Sequence, residues 1–215
     1  KEKPPDLADP LALRMWQNFL VSIHLGTLEE ERQKLTRPWH AIWAVPGLRN
    51  AVILYDENGS IAELKRTALE FEWSPLQPFA NRFASANICT CAEEVYKILG
   101  GLSTGKESKV IYACAGLIFN MTETIAAQRG LMIETENRYH EVIQESVGRD
   151  SEWTRLFRLA MGTDRGPGNV PAYQTRGAAT LGLYRETAAL MDAVILEEHR
   201  EVVINALDQV KRAGY

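Results

Sequence analysis

The sequence predicts an α+β fold, mostly α: a remnant of a small sheet followed by a C-terminal helical bundle. Three observations carry this. Two runs rich in strand formers, Phe19–Leu25 and Asn50–Asp56, lie in the first third of the chain. Beyond Pro78 apolar residues recur at three- and four-residue spacing, as in Val110, Cys114, Leu117, Ile118, Met121 and Ile125. The change of pattern falls near Trp73-Ser74-Pro75, which divides the chain into residues 1–73 and 74–215.

In chain order, Lys1–Pro10 holds three prolines and little to bury, and reads as an extended lead-in. Phe19–Leu25 ends at Gly26 as a strand would. Thr27 offers a side-chain oxygen to a helix whose first turn is acidic, opening a short helix to about Leu35. Asn50–Asp56 is the second strand. Glu57-Asn58-Gly59 is turn chemistry, after which Ser60 caps a helix to about Glu70. Long helices are expected over Phe79–Leu99, stopped by Gly100-Gly101, and over Glu107–Arg129, stopped by Gly130. Shorter ones cover Glu136–Val147 and Ser151–Met161. Gly162–Asn169 is a loop, and helices over Pro171–Ile195 and Glu197–Ala213 close the chain. Two strands make no stable sheet alone, so they need partners from elsewhere.

Composition narrows the class of protein. With 215 residues, 46% hydrophobic and 24% charged, the chain is globular in type. A net charge of -4 argues against a general nucleic-acid coat. No apolar run approaches the roughly 18–20 residues of a membrane span, and no apolar segment follows Lys1-Glu2-Lys3-Pro4-Pro5 as a secretory signal requires. Three cysteines, Cys89, Cys91 and Cys114, lack metal-site spacing and suit reduced thiols. The expectation is a cytoplasmic protein with no membrane or nucleic-acid partner.

Several polar groups could carry chemistry. Glu93 and Lys97 share one face of a helix, with Glu94 one position round. Such a pair is either a surface ion pair or a general base beside a phosphate-binding cation. Asn120, Glu123 and Thr124 make a polar patch on the next, otherwise apolar, helix. Thr135–His140 is a polar cluster best read as helix capping. Trp39, His40 and Trp43 form an aromatic knot best read as packing, and His24 closes an apolar strand. Asp56 and Glu57 beside Gly59 suit a turn better than a metal site. The Gly-x-x-x-x-Gly-Lys-Ser/Thr, Gly-x-Gly-x-x-Gly, His-Glu-x-x-His and Gly-x-Ser-x-Gly motifs are absent.

Taken in order, Trp39 ahead of a strand, Ala51–Asp56 with Gly59, Glu63-Leu64-Lys65, the Glu93-x-x-x-Lys97 helix, Gly105 and a long apolar helix ending in Gln128-Arg129-Gly130 resemble the later part of the nucleotidyltransferase superfamily. Within it they are most similar to the kanamycin nucleotidyltransferase type. The resemblance spans about Trp39 to Met161. It implies a palm-like sheet that binds magnesium and a nucleoside triphosphate such as ATP, over which a helical domain closes on an aminoglycoside. It further implies a homodimer whose two subunits form the site together. Residues 1–73 would be a partial palm and 74–215 the helical substrate-binding domain. Glu93 falls at the position of the base acting on the sugar hydroxyl, and Lys97 at that of the phosphate contact. Glu94, Glu123 and Arg138 become substrate-pocket candidates.

The family's Gly-Ser turn and Asp-x-Asp pair are not found; Asp6 and Asp9 are differently spaced, and Phe19–Leu25 holds no acid. Two explanations stay open: a C-terminal piece of a longer enzyme, or a relative that lost catalysis. A non-catalytic helical binding or assembly module is the alternative function. Leu181, Tyr184, Ala188, Met191 and Ile195 form an apolar stripe that could pack a partner as easily as the core.

Overall fold

A computed structural model describes residues 11–215; the lead-in expected at Lys1–Pro10 lies outside the described residues. Two strands, β1 (Leu11–Trp16) and β2 (Phe19–His24), form an antiparallel hairpin in which Trp16 pairs with Phe19 and Leu13 with Ser22. β1 was not expected. The reversal is made by Gln17, whose φ of 54° lies in the left-handed region without a glycine to announce it.

Three helices follow: α1 (Leu28–Lys34), α2 (Pro38–Asn50) and α3 (Ser60–Leu69). α1 starts as the sequence predicts: Thr27 Oγ1 accepts from the Glu30 backbone N–H and Glu30 Oε2 accepts from the Thr27 N–H. The second strand expected at Asn50–Asp56 is not formed. Asn50 ends α2, and Ala51–Glu57 is irregular, with Val52 81% and Leu54 93% exposed. Its β-formers have no neighbouring strand to pair with, so propensity has nothing to act on. The segment is fixed from its ends instead. Lys65 donates to Ala51 O, while Arg49 donates to Ala68 O and Phe71 O. α3 is capped by Asn58 and Asp56 rather than by Ser60: Asn58 Oδ1 accepts from Ser60 N–H and Asp56 Oδ2 from Ala62 N–H.

The bundle comprises α4 (Gln77–Ser103), α5 (Glu107–Gln128), α6 (Tyr139–Val147), α7 (Glu152–Met161), α8 (Ala172–Leu190) and α9 (Glu197–Arg212). α4 continues through Gly100-Gly101, where a stop was expected. Gly101 lets the start of α5 approach: a Cβ there would lie 2.6 Å from Val110 Cγ2. α8 stops at Leu190, short of the expected Ile195, and a 3-10 turn over Asp192–Val194 leads into α9.

The antiparallel α4–α5 pair is the spine. Ile88, Val95, Ile98, Val110, Leu117, Met121 and Ile125 of that pair, with Leu181, Tyr184 and Val203, belong to one buried cluster. Of the two roles open to Leu181, Tyr184, Ala188, Met191 and Ile195, a partner or the core, the structure shows the core: all five belong to this cluster. By length and composition α5 could cross a membrane, contrary to expectation, but 61% of its most apolar stretch is buried here. A smaller cluster, built on Leu35, Ala41, Val45, Leu64 and Leu76, joins α1–α3; Trp73 packs against both clusters.

Candidate functional site

Glu93, Glu94 and Lys97 occupy one turn of α4. Lys97 Nζ lies 2.8 Å from Glu93 Oε1 and 2.8 Å from Glu94 Oε1, so one ammonium bridges two carboxylates. The spacing places the Glu93 and Glu94 carboxylates on either side of the stem that Lys97 projects back along the helix. Their environments differ: the side chain of Glu93 is 72% exposed, that of Glu94 only 20%, and Glu94 Oε2 is buried with no hydrogen-bond partner among the described residues. Glu94 rests against α5 at Gly116, where a Cβ would stand 4.0 Å from its carboxyl carbon.

The hydrogen bond and charge of Lys97 hold the Glu93 carboxyl below its ordinary range, so Glu93 is ionised at neutral pH. The bonds that Lys97 donates to Glu93 and then Glu94 hold it above the ordinary lysine range, so it remains an ammonium. An ionised carboxylate can accept a proton, and a fixed ammonium can meet a phosphate oxygen.

Glu123 on α5 is half-buried, and desolvation raises its carboxyl above the usual range. It shares one neighbourhood with Glu94. Burial, and then the charges of Glu94 and Glu123, push the Cys91 thiol up to about 12. The adjoining amides and hydroxyls hold the helices together: Asn87 donates to Asn120 O and Thr124 Oγ1, and Asn120 donates to Gly116 O. Arg138 is not brought to this group. It sits in the 3-10 turn after α5, where its Nε donates to Glu141 Oε2 at 3.0 Å within a network that includes Arg149 and Glu145.

Lys97 also lines an open basin of about 630 Å3 where α4 turns into α5. Lys106, Glu107, Ser108, Lys109 and Tyr112 complete its wall. Glu93 is not part of that wall. Lys106, Lys109 and Tyr112 escaped the sequence reading; a signal was present in two lysines three apart directly after Gly105.

The remaining candidates are structural. Trp39 touches His40 with ring centroids 5.7 Å apart and stacks on Phe83 at 5.1 Å, while Trp43 stacks on Tyr139 at 5.3 Å, so Trp39 and His40 of the expected aromatic knot meet and Trp43 packs elsewhere. Thr135 accepts from Asn137 N–H, the capping role expected of its cluster. Ser85 Oγ lies 2.8 Å from His199 Nδ1, but Ser85 is fully buried and accepts the Leu196 N–H at the start of α9, which fixes it as a cap. His24, Asp56 and Glu57 line a cavity of about 480 Å3 between the hairpin end, α1 and α3.

The magnesium that the resemblance implies has no donor set here: among the described residues no three His, Cys, Asp or Glu side chains are grouped to hold a metal. Comparison with family models, curated proteins and solved structures finds no match to this chain.

Proposed function

We propose that this chain is the helical, substrate-facing part of a nucleotidyltransferase-like protein, with a fragment of its palm-like sheet. In this reading it moves a nucleoside monophosphate from a nucleoside triphosphate such as ATP to a hydroxyl of an aminoglycoside-like small molecule. The observation that supports it best is Lys97, held by Glu93 and Glu94 at 2.8 Å each while lining the basin. A prearranged ammonium is what a transferring phosphoryl group needs, because such catalysis is mostly positioning and charge stabilisation. Glu93 accepts the proton of the attacking hydroxyl. The hydroxyl oxygen bonds to the α-phosphorus as the bond to pyrophosphate breaks, and pyrophosphate leaves with that electron pair. Glu94 anchors Lys97. Glu94 and Glu123, neighbours behind the basin, add negative charge suited to a polycationic acceptor, while Arg138, held in its own network with Glu141, drops out of the pocket. Homodimeric assembly and a cytoplasmic location are parts of the same proposal. No step runs through magnesium, for which the described residues offer no site. The absence of the strand at Asn50–Asp56 removes one of the features behind the resemblance.

The second reading, a non-catalytic helical binding or assembly module, draws on a different observation. A groove of about 430 Å3 between α8 and α9 is lined by Ala188, Ile195, Val203, Ile204 and Leu207.

Calorimetric titration with ATP, with and without magnesium, and a transfer assay on kanamycin read by mass spectrometry separate the two. The transferase reading expects saturable ATP binding and an adenylylated acceptor. It further expects that Glu93→Gln keeps ATP binding and lowers transfer by about 100-fold or more. Transfer by Glu93→Gln at the parent rate removes Glu93 as the base. ATP binding without transfer favours the binding module, and no ATP binding ends the transferase reading for this chain.

A further inference from the structure

The α4–α5 basin holds positive charge that the ion pairs do not consume. Lys97 is compensated twice, by Glu93 and Glu94. Lys106 and Lys109 line the same basin, and among the described residues neither forms an ion pair with a carboxylate. Lys109 Nζ reaches back over α4, 3.2 Å from where a Cβ of Gly100 would lie. The turn between the helices therefore gathers three ammoniums from residues 97, 106 and 109 around one concavity.

The backbone adds to this field. α5 is 22 residues long, and its N-cap, Lys106, makes no side-chain capping bond. Its first-turn N–H groups therefore lack a side-chain acceptor, at the positive end of the helix dipole. Among the described residues Glu107 is the one acid in the basin wall, and it opposes the lysines. Two uncompensated ammoniums outweigh it.

We infer that the basin is a polyphosphate seat in which Lys106 and Lys109 are the principal anchors. Lys97 joins it from the side that carries Glu93. The inference rests on the nucleotide reading above and deepens it: the triphosphate tail lies across the α4–α5 turn, with its far phosphates on Lys106 and Lys109. The lysine ammoniums act as point charges, and the α5 amides supply directional donors. A seat of this kind recognises any short polyphosphate, with or without a nucleoside.

The test is calorimetric titration of the full chain with sodium tripolyphosphate and, separately, with ATP, at two salt concentrations. Lys106→Gln/Lys109→Gln is compared with the parent and with Lys211→Gln, a change at an exposed lysine of α9 outside the basin. The basin residues are at the surface, and circular dichroism establishes that the variants are folded. The expected result is at least a tenfold loss of tripolyphosphate affinity in the double variant, with a shallower salt dependence, and no loss in Lys211→Gln. Equal tripolyphosphate binding by parent and double variant overturns the seat. ATP binding that survives intact in the double variant also overturns it while leaving the nucleotide reading standing. Binding of tripolyphosphate through these lysines without any binding of ATP keeps the seat and removes the nucleotide reading. A parent that binds neither anion removes both.

Discussion

The indole of Trp73 lies on the backbone of Gly130: a Cβ at Gly130 would stand 2.4 Å from Trp73 Cδ2 and 2.6 Å from Cε2. Gly130 has a φ of 62° and closes α5, donating its N–H to Ala127 O while Leu131 N–H reaches Ala126 O. Two constraints meet at one residue, a left-handed backbone and a ring with no room to spare. Trp73 also packs against both buried clusters, so moving it disturbs each. Gly130→Ala is expected to destabilise by about 2–5 kcal/mol, the sum of the left-handed penalty and the overpacking cost. Urea unfolding checks this. A loss below about 1 kcal/mol would mean that the ring relaxes freely.

Thr187 is the second sensitive position. Trp153 Nε1 donates to Thr187 Oγ1 at 2.8 Å, and Thr187 in turn donates to Leu183 O, all of it buried. Thr187→Val keeps the shape and leaves the indole N–H without an acceptor. The expected cost is about 1–3 kcal/mol. Trp153→Phe in the Thr187→Val background should cost less than Trp153→Phe alone, because the bond is already gone. Equal costs in the two backgrounds would show that the bond contributes nothing.

How much of this was legible in the sequence depends on whether a residue's role is local. The α5 stripe Val110, Cys114, Leu117, Ile118, Met121 and Ile125 was readable because helical spacing alone puts it on one face, and every member is buried. The cap at Thr27 was readable because its partner is three residues away. Asn50–Asp56 misled because strand propensity needs an adjacent edge, and the sequence does not disclose that none is near. Gly100-Gly101 misled because a glycine that admits a neighbouring helix looks like one that ends its own. At the site, the Glu93–Lys97 pair was visible from spacing. Glu94 as a second partner of Lys97, and Lys106 and Lys109 across the turn, depended on side-chain direction and tertiary approach.

Glu123 supplies a pH-dependent prediction. Burial raises its carboxyl in the folded protein above the unfolded value, so the folded state favours its protonated form. The stability associated with that proton is fully present below the unfolded carboxyl range, near pH 4. It is lost as pH rises through the raised folded value. Glu123→Gln, which mimics the protonated form, is therefore expected to be more stable than the parent at pH 7 and equal to it near pH 4. The side chain is only half-buried, so solvent screening keeps the gain at pH 7 small. Thermal melts of both proteins across this range test it; a variant less stable than the parent at pH 7 would show that ionised Glu123 holds a favourable partner.

The hairpin should be energetically separate from the helical core. Trp16 and Phe19 face each other across the turn, and each is 67% exposed. Met15 and Leu20 are 66% and 65% exposed, and none of these four belongs to either buried cluster. A two-stranded ribbon of this kind gains little from folding alone. Trp16→Ser and Phe19→Ser are accordingly expected to change the unfolding free energy of the helical body by less than about 0.5 kcal/mol. Both should reduce binding of the dye anilinonaphthalene sulfonate, since they remove exposed apolar surface. Leu64→Ala, at a position 2% exposed in the smaller cluster, should cost about 2–5 kcal/mol in the same assay. A Phe19→Ser variant that loses as much stability as Leu64→Ala would place the hairpin inside the cooperative unit and require that Phe19 be covered in solution.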